Sequence, residues 1–170
     1  MTRVPGLAPL AGLAASALVV VLAVGQSEPR AGPALEVSAA RGRVAVTNSR
    51  AGRAILKIDR MAPGRSVSGS IVIANRGRRP AAVVLAQSRP VDQRAPLSRA
   101  LVLTIAERGR RRIASRLLVV RRPVRLRTLR AGARRSYRFT VRLPAGIGDR
   151  YQGARTTVRF AWKVSAGAGR

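Results

Sequence analysis

The residues able to do chemistry in this chain are almost all arginines. Arg108 stands with Arg110, Arg111 and Arg112; Arg121 and Arg122 stand with Arg125, in a run that Arg127 and Arg130 extend; Arg134 adjoins Arg135. A guanidinium is planar, permanently charged and presents paired N–H donors that match the edge of a phosphate or carboxylate. The candidates for a cationic, anion-binding band are therefore Arg108, Arg110, Arg111, Arg112, Arg121, Arg122, Arg125, Arg134 and Arg135. Across the sequence 34 basic residues face 6 acidic ones, a net charge of +28. Such a chain attracts nucleic acid, acidic glycan, phosphate-rich wall polymer or an anionic membrane surface. Two origins of the excess stay open: selection for an anionic partner, or a GC-rich coding background that supplies Arg along with Ala, Gly and Val. Sequence-specific DNA reading is not expected, because no recognition helix or zinc-finger spacing is visible.

Other chemistry lacks its parts. There is no histidine and no cysteine, which removes the commonest general base, the commonest metal ligands, thiolate nucleophiles and disulfides together. A Ser-His-Asp triad has no base, and there is no HExxH, Walker loop or GxGxxG. The acids Glu28, Glu36, Asp59, Asp92, Glu107 and Asp149 are scattered singly, a poor supply for a calcium site or for a paired-carboxylate hydrolase. We expect no enzyme, no cofactor and no metal.

The first 25 residues have the layout of a secretory signal. Arg3 provides the positive start, residues 7–24 form an uncharged run, and Ala23-Val24-Gly25 offers small residues for cleavage between Gly25 and Gln26. The alternative is a retained membrane anchor, for which the run is at the lower limit of spanning length. The expected location is secreted, extracellular or cell-surface associated, with membrane contact only through this leader before cleavage.

Residues 26–43 contain Pro and Gly and read as a flexible arm ahead of a domain over 44–166, with a tail over 167–170. Within the domain, apolar residues recur at every second position in short runs. These are Val44 and Val46; Leu56 and Ile58; Ile71 and Ile73; residues 81–87; Leu101, Leu103 and Ile105; residues 115–120; Tyr137, Phe139, Val141 and Leu143; and Val158, Phe160, Trp162 and Val164. About eight short strands with no convincing helix after the leader predict an all-β, antiparallel two-sheet sandwich, jelly-roll-like, preceded by a signal-peptide helix. The four aromatic side chains of the last two strands belong to its core. The loop over 88–98, with two prolines, is expected to cross between sheets. Gly69, in the inward phase of its strand, predicts a bulge or a close approach by a neighbour. The spacing of Gly64, Gly69, Ile71 and Ile73 repeats in Gly132, Tyr137, Phe139 and Val141, a recurring turn-and-strand unit that reads as scaffold.

These segments resemble the TasA/camelysin (CalY-like) family of secreted bacterial cell-surface and biofilm-matrix proteins, in its actinobacterial form. The resemblance is carried by the leader, "TNSRAGRAIL" (47–56), "MAPGRSVSGSIVIANRG" (61–77), "LRAGARRSYRFTVRLP" (129–144) and "DRYQGARTTVRFAW" (149–162). It implies a jelly-roll domain with a structural, non-enzymatic role and assembly by donor-strand exchange, in which an arm of one subunit completes the sheet of the next. The candidate donor arm here is residues 26–47, with Leu35, Val37, Val44 and Val46 as its apolar anchors; the alternative is that this segment folds back on its own domain. Some relatives carry a metallopeptidase label, a weaker alternative for a chain without histidine or cysteine. The other alternative is a cationic extracellular module that binds anionic polymers such as DNA or wall polymer without self-assembly.

Overall fold

The computed structural model describes residues 19–24, 34–37, 44–51, 53–58, 61–107, 110, 112–117 and 122–166. Two six-stranded sheets pack face to face. The strands are β1 (Val19–Val24), β2 (Ala34–Val37), β3 (Val44–Asn48), β4 (Ala54–Ile58), β5 (Ser66–Asn75), β6 (Ala81–Gln87), β7 (Val91–Gln93), β8 (Val102–Glu107), β9 (Arg112–Leu117), β10 (Val124–Arg125), β11 (Arg134–Arg142) and β12 (Arg155–Ala166). The first sheet runs β10-β6-β12-β1-β4, with β7 also on β12; the second runs β2-β3-β5-β11-β8-β9. All pairings are antiparallel except β1 with β12. The chain crosses repeatedly between the sheets, the connectivity of an all-β sandwich.

All eight strands expected from alternation are present, and four more join them: β1, β2, β7 and β10. Three of the four are short, at two to four residues, too brief for alternation to show. The structure corrects the sequence pattern at four further places. Alternation predicts a strand over 115–120; β9 starts earlier, at Arg112, because the β8–β9 hairpin pairs almost at once after its turn, Arg112 lying opposite Ala106, and residues 118–120 lie outside the described residues. The 88–98 loop does lead from one sheet to the other, yet it contains β7 on the edge of β12 and enters a one-turn helix α1 (Leu97–Ala100). Asp92 holds that entry, its carboxylate accepting from the Ser98 amide at 2.9 Å and the Ser98 hydroxyl at 2.6 Å.

The third correction is the leader. Its described part, Val19–Val24, is a strand rather than a helix. Three successive valines favour extended backbone, and main-chain partners stand on both sides. Val19 to Val24 run parallel to Arg155 to Phe160, and Val20 to Ala23 run antiparallel to Ile58 to Ala54. The rest of the leader, residues 1–18, and the cleavage site at Gly25 and Gln26 lie outside the described residues. The flexible arm is corrected in part as well: Ala34–Val37 is a paired strand, its alternating Leu35 and Val37 extending along the edge of β3. Among the described residues no helix is long and apolar enough to cross a membrane.

The core lies between the sheets. From the second sheet, Ile71, Ile73, Leu103, Ile105, Tyr137, Phe139 and Val141 are buried; from the first, Val83, Leu85, Val158, Phe160 and Trp162 meet them. The aromatic rings interlock at this seam. Phe139 stands edge-on to Phe160 at 5.3 Å and to Trp162 at 6.4 Å, and Tyr137 lies 6.4 Å from Trp162. Such tilted and edge-to-face pairs suit the ring quadrupoles. The two echoing units are neighbours: Gly64 and Gly132 both turn the chain with positive φ, and their strands β5 and β11 pair with Gly69 opposite Phe139. No bulge interrupts that ladder. Gly69 marks a close approach instead, with the carbonyl oxygen of Ile55 2.3 Å from where a Cβ would stand.

Candidate functional site

Two places combine position with chemistry: an arginine-lined cleft at one end of the sandwich, and the slot that β1 fills in the first sheet.

The cleft forms where the chain leaves the first sheet for the second. After β10, Leu129 bridges back to Ala81 through two main-chain bonds of 2.8 Å, and a turn then starts β11. Asn75, wholly buried at the end of β5, fixes this crossing. Its Nδ2 donates to the carbonyls of Arg79 (2.7 Å), Leu129 (3.0 Å) and Arg130 (3.2 Å), and its Oδ1 accepts from the Gly77 amide at 2.9 Å. The result is a cleft of about 570 Å³ lined by Leu126, Arg127, Thr128, Arg130 and Arg135.

Strand alternation separates the candidate pair Arg134 and Arg135. Arg134 points to solvent, whereas Arg135 takes the inward phase, at the end of the row that continues through Tyr137, Phe139 and Val141. There its guanidinium pairs with the carboxylate of Glu107, which lies opposite Tyr137 on β8. A diagonal cross-strand pair of this kind is within reach of long side chains. The Arg135 Nε is nevertheless buried without a partner, and so is the Tyr137 hydroxyl. The phenol is pushed up to about 12, first by burial and then by the Glu107 charge, while Arg135 and Arg127 pull the other way. Glu107, Arg135, Arg127 and Tyr137 therefore form one electrostatic neighbourhood.

The other candidates are dispersed. Arg110 is exposed in the β8–β9 turn, Arg122 and Arg125 are exposed around β10 on the edge of the first sheet, and Arg112 begins β9. Arg108, Arg111 and Arg121 lie outside the described residues. In the sequence Arg127 and Arg130 only extend a basic run, and nothing there marks them as site residues. Their placement depends on the Asn75 clamp and the Leu129 bridge, which no local pattern announces.

The slot is a different kind of site. Among the described residues strand β4 joins the first sheet only through β1, and β12 uses β1 along one whole edge of its first half. Without β1, two strands would face one another across an empty strand position with unpaired N–H and C=O groups. The candidate anchors sit elsewhere: Leu35 pairs with Val46 and Val37 with Val44, at the far edge of the second sheet, and Val46 is buried.

Two further carboxylates hold turns, Asp92 accepting from Ser98 and Asp149 accepting from the side-chain Nε2 of Gln152 at 2.9 Å. Among the described residues no three acidic side chains gather as a metal site would need. No protein-family model matches the chain, and no curated protein matches it.

Proposed function

We propose that this protein is a secreted, non-enzymatic structural subunit of the cell surface or biofilm matrix, and that copies join by strand exchange into the first sheet. The observation that carries this reading is the position of Val19–Val24: a segment with the sequence of a cleavable leader provides an interior strand. Cleavage after Gly25 would take that strand away and leave the β4 and β12 edges open. An open interior position exposes backbone donors and acceptors along six residues, and an extended segment from another copy satisfies them. The proposed occupant is the arm over 26–43 of a second copy, whose Leu35 and Val37 supply apolar side chains at alternate positions. Donation requires that arm to leave the edge of β3, which it holds through four residue pairs. The resemblance to the TasA/camelysin family points the same way.

Deleting residues 26–43 from a chain that begins at Gln26 tests the reading. The chain with the arm is expected to form high-mass assemblies and the deleted chain to stay monomeric. Equal behaviour of the two would sink the proposal.

A second reading, a cationic extracellular module that holds anionic polymer without self-assembly, is favoured by the arginine-lined cleft.

A further inference from the structure

We propose that the cleft lined by Leu126, Arg127, Thr128, Arg130 and Arg135 is a binding site for the phosphate group of a phosphodiester polymer. The inference rests on the second reading and gives it a location and a ligand chemistry.

The cleft is rich in donors and short of acceptors. Arg127, Arg130 and Arg135 bring three guanidiniums to one opening, and Thr128 adds a hydroxyl. One carboxylate, Glu107, pairs with one of the three, so the site keeps an excess of positive charge. The Arg135 Nε–H is buried with no acceptor. Buried donors are normally satisfied, and leaving one unmet is costly. The groups open to an oxyanion in the cleft are the exposed Arg127, Thr128 and Arg130, and phosphate suits the guanidinium edge through paired hydrogen bonds.

Placement is built in rather than accidental. Asn75 holds the carbonyls of Leu129 and Arg130, and so fixes the backbone that carries Arg130. Arg135 is fixed from the other side by Glu107. Arg138 and Arg142, by contrast, are exposed on the solvent face of β11.

Size and lining indicate a phosphate within a larger molecule. At about 570 Å³ the space falls in the range of sites that hold an organic ligand. No aromatic side chain lines it, so there is no platform on which a nucleobase would stack. Recognition is therefore expected at the phosphate and indifferent to what joins one phosphate to the next.

The test compares poly(glycerol phosphate), duplex DNA and polyglutamate, matched in anionic charge, for binding to the chain at about 150 mM salt, where long-range attraction is screened. Both phosphodiester polymers should bind, and polyglutamate should bind at least about tenfold more weakly, as expected where paired, charge-assisted bonds to phosphate decide affinity. The double variant Arg127→Gln/Arg130→Gln should weaken phosphodiester binding by about tenfold or more, the scale of a lost hydrogen bond to a charged group. Arg138→Gln/Arg142→Gln removes the same charge from an exposed strand face and should change binding by less than about twofold. Equal losses in the two double variants, or equal binding of polyglutamate, would leave only net-charge attraction: the polymer-binding reading would stand and the phosphate site would fall. Binding of DNA alone would replace the site with a nucleic-acid surface. Binding of none of the three would remove both the site and the reading beneath it.

Discussion

The carbonyl oxygen of Ile55, on β4, lies 2.3 Å from the point that a Cβ on Gly69 would occupy. Two strands of different sheets thus approach closely enough that only a glycine fits between them. The Leu56 Cδ1 stands nearly as close, at 2.6 Å. A side chain here meets backbone that cannot rotate away, so Gly69→Ala is expected to destabilise the fold by about 1–3 kcal/mol through overpacking. Chemical denaturation of the pair checks this. Gly132 offers a contrast, since a Cβ there meets nothing within 4 Å and only its positive φ of 71° resists substitution. Gly132→Ala is expected to cost about 1 kcal/mol, from the left-handed backbone alone.

Asn75 ties the end of β5 to the segment that carries Arg130. Replacing it with alanine leaves the Leu129 and Arg130 carbonyls without their side-chain donor in a buried place. Asn75→Ala should cost about 1–3 kcal/mol of stability and weaken phosphodiester binding as well. Asn75→Asp keeps the shape but loses the donor, and it should be no better than alanine. Thermal melts together with binding to poly(glycerol phosphate) read both effects.

Tyr137 makes the stability sensitive to alkali. Burial and the neighbouring Glu107 carboxylate push its phenol up to about 12 from the usual 10. The folded state therefore holds the phenolic proton more tightly than the unfolded chain. This contribution is complete below pH 10 and is lost as pH rises toward 12. Unfolding midpoints measured across that window should fall for the native chain, and Tyr137→Phe should remove this part of the slope. Near neutral pH the same variant should match or slightly exceed the native stability, because it deletes a buried hydroxyl with no partner. Glu107→Gln should bring the phenol partly back down, seen as phenolate absorbance appearing at lower pH.

Much of this architecture is legible in the sequence where alternation is long. The rows ending in Tyr137, Phe139 and Val141, and in Val158, Phe160 and Trp162, mark the facing inner surfaces directly, and both are buried. Gly69 is legible as a bulge or a close approach, because a missing side chain in an inward phase leaves space that packing must fill; β4 decides for the approach. The features that escape are set by partners distant in sequence. Strands β7 and β10 exist because β12 and β6 offer edges to them, and two or three residues carry no period of their own. The valines of 19–24 read as a leader because apolar runs look alike whether they enter a membrane or a sheet. In the cleft, the chemistry of Arg135 is visible in its residue type but its inward phase matters more, and Arg127 and Arg130 gain their place through the Leu129 bridge and the Asn75 clamp, both made with residues distant in sequence.

The strand slot gives the central claim its sharpest test. A chain beginning at Val19 keeps β1, and a chain beginning at Gln26 lacks it. Sedimentation of the two at equal concentration should show the first as a monomer and the second as an assembly. A peptide with the sequence of residues 19–24, added to the second, should return it to monomers by filling the β4–β12 position. Strand exchange is contradicted if the chain beginning at Gln26 stays monomeric, or if both chains assemble alike and the peptide changes nothing.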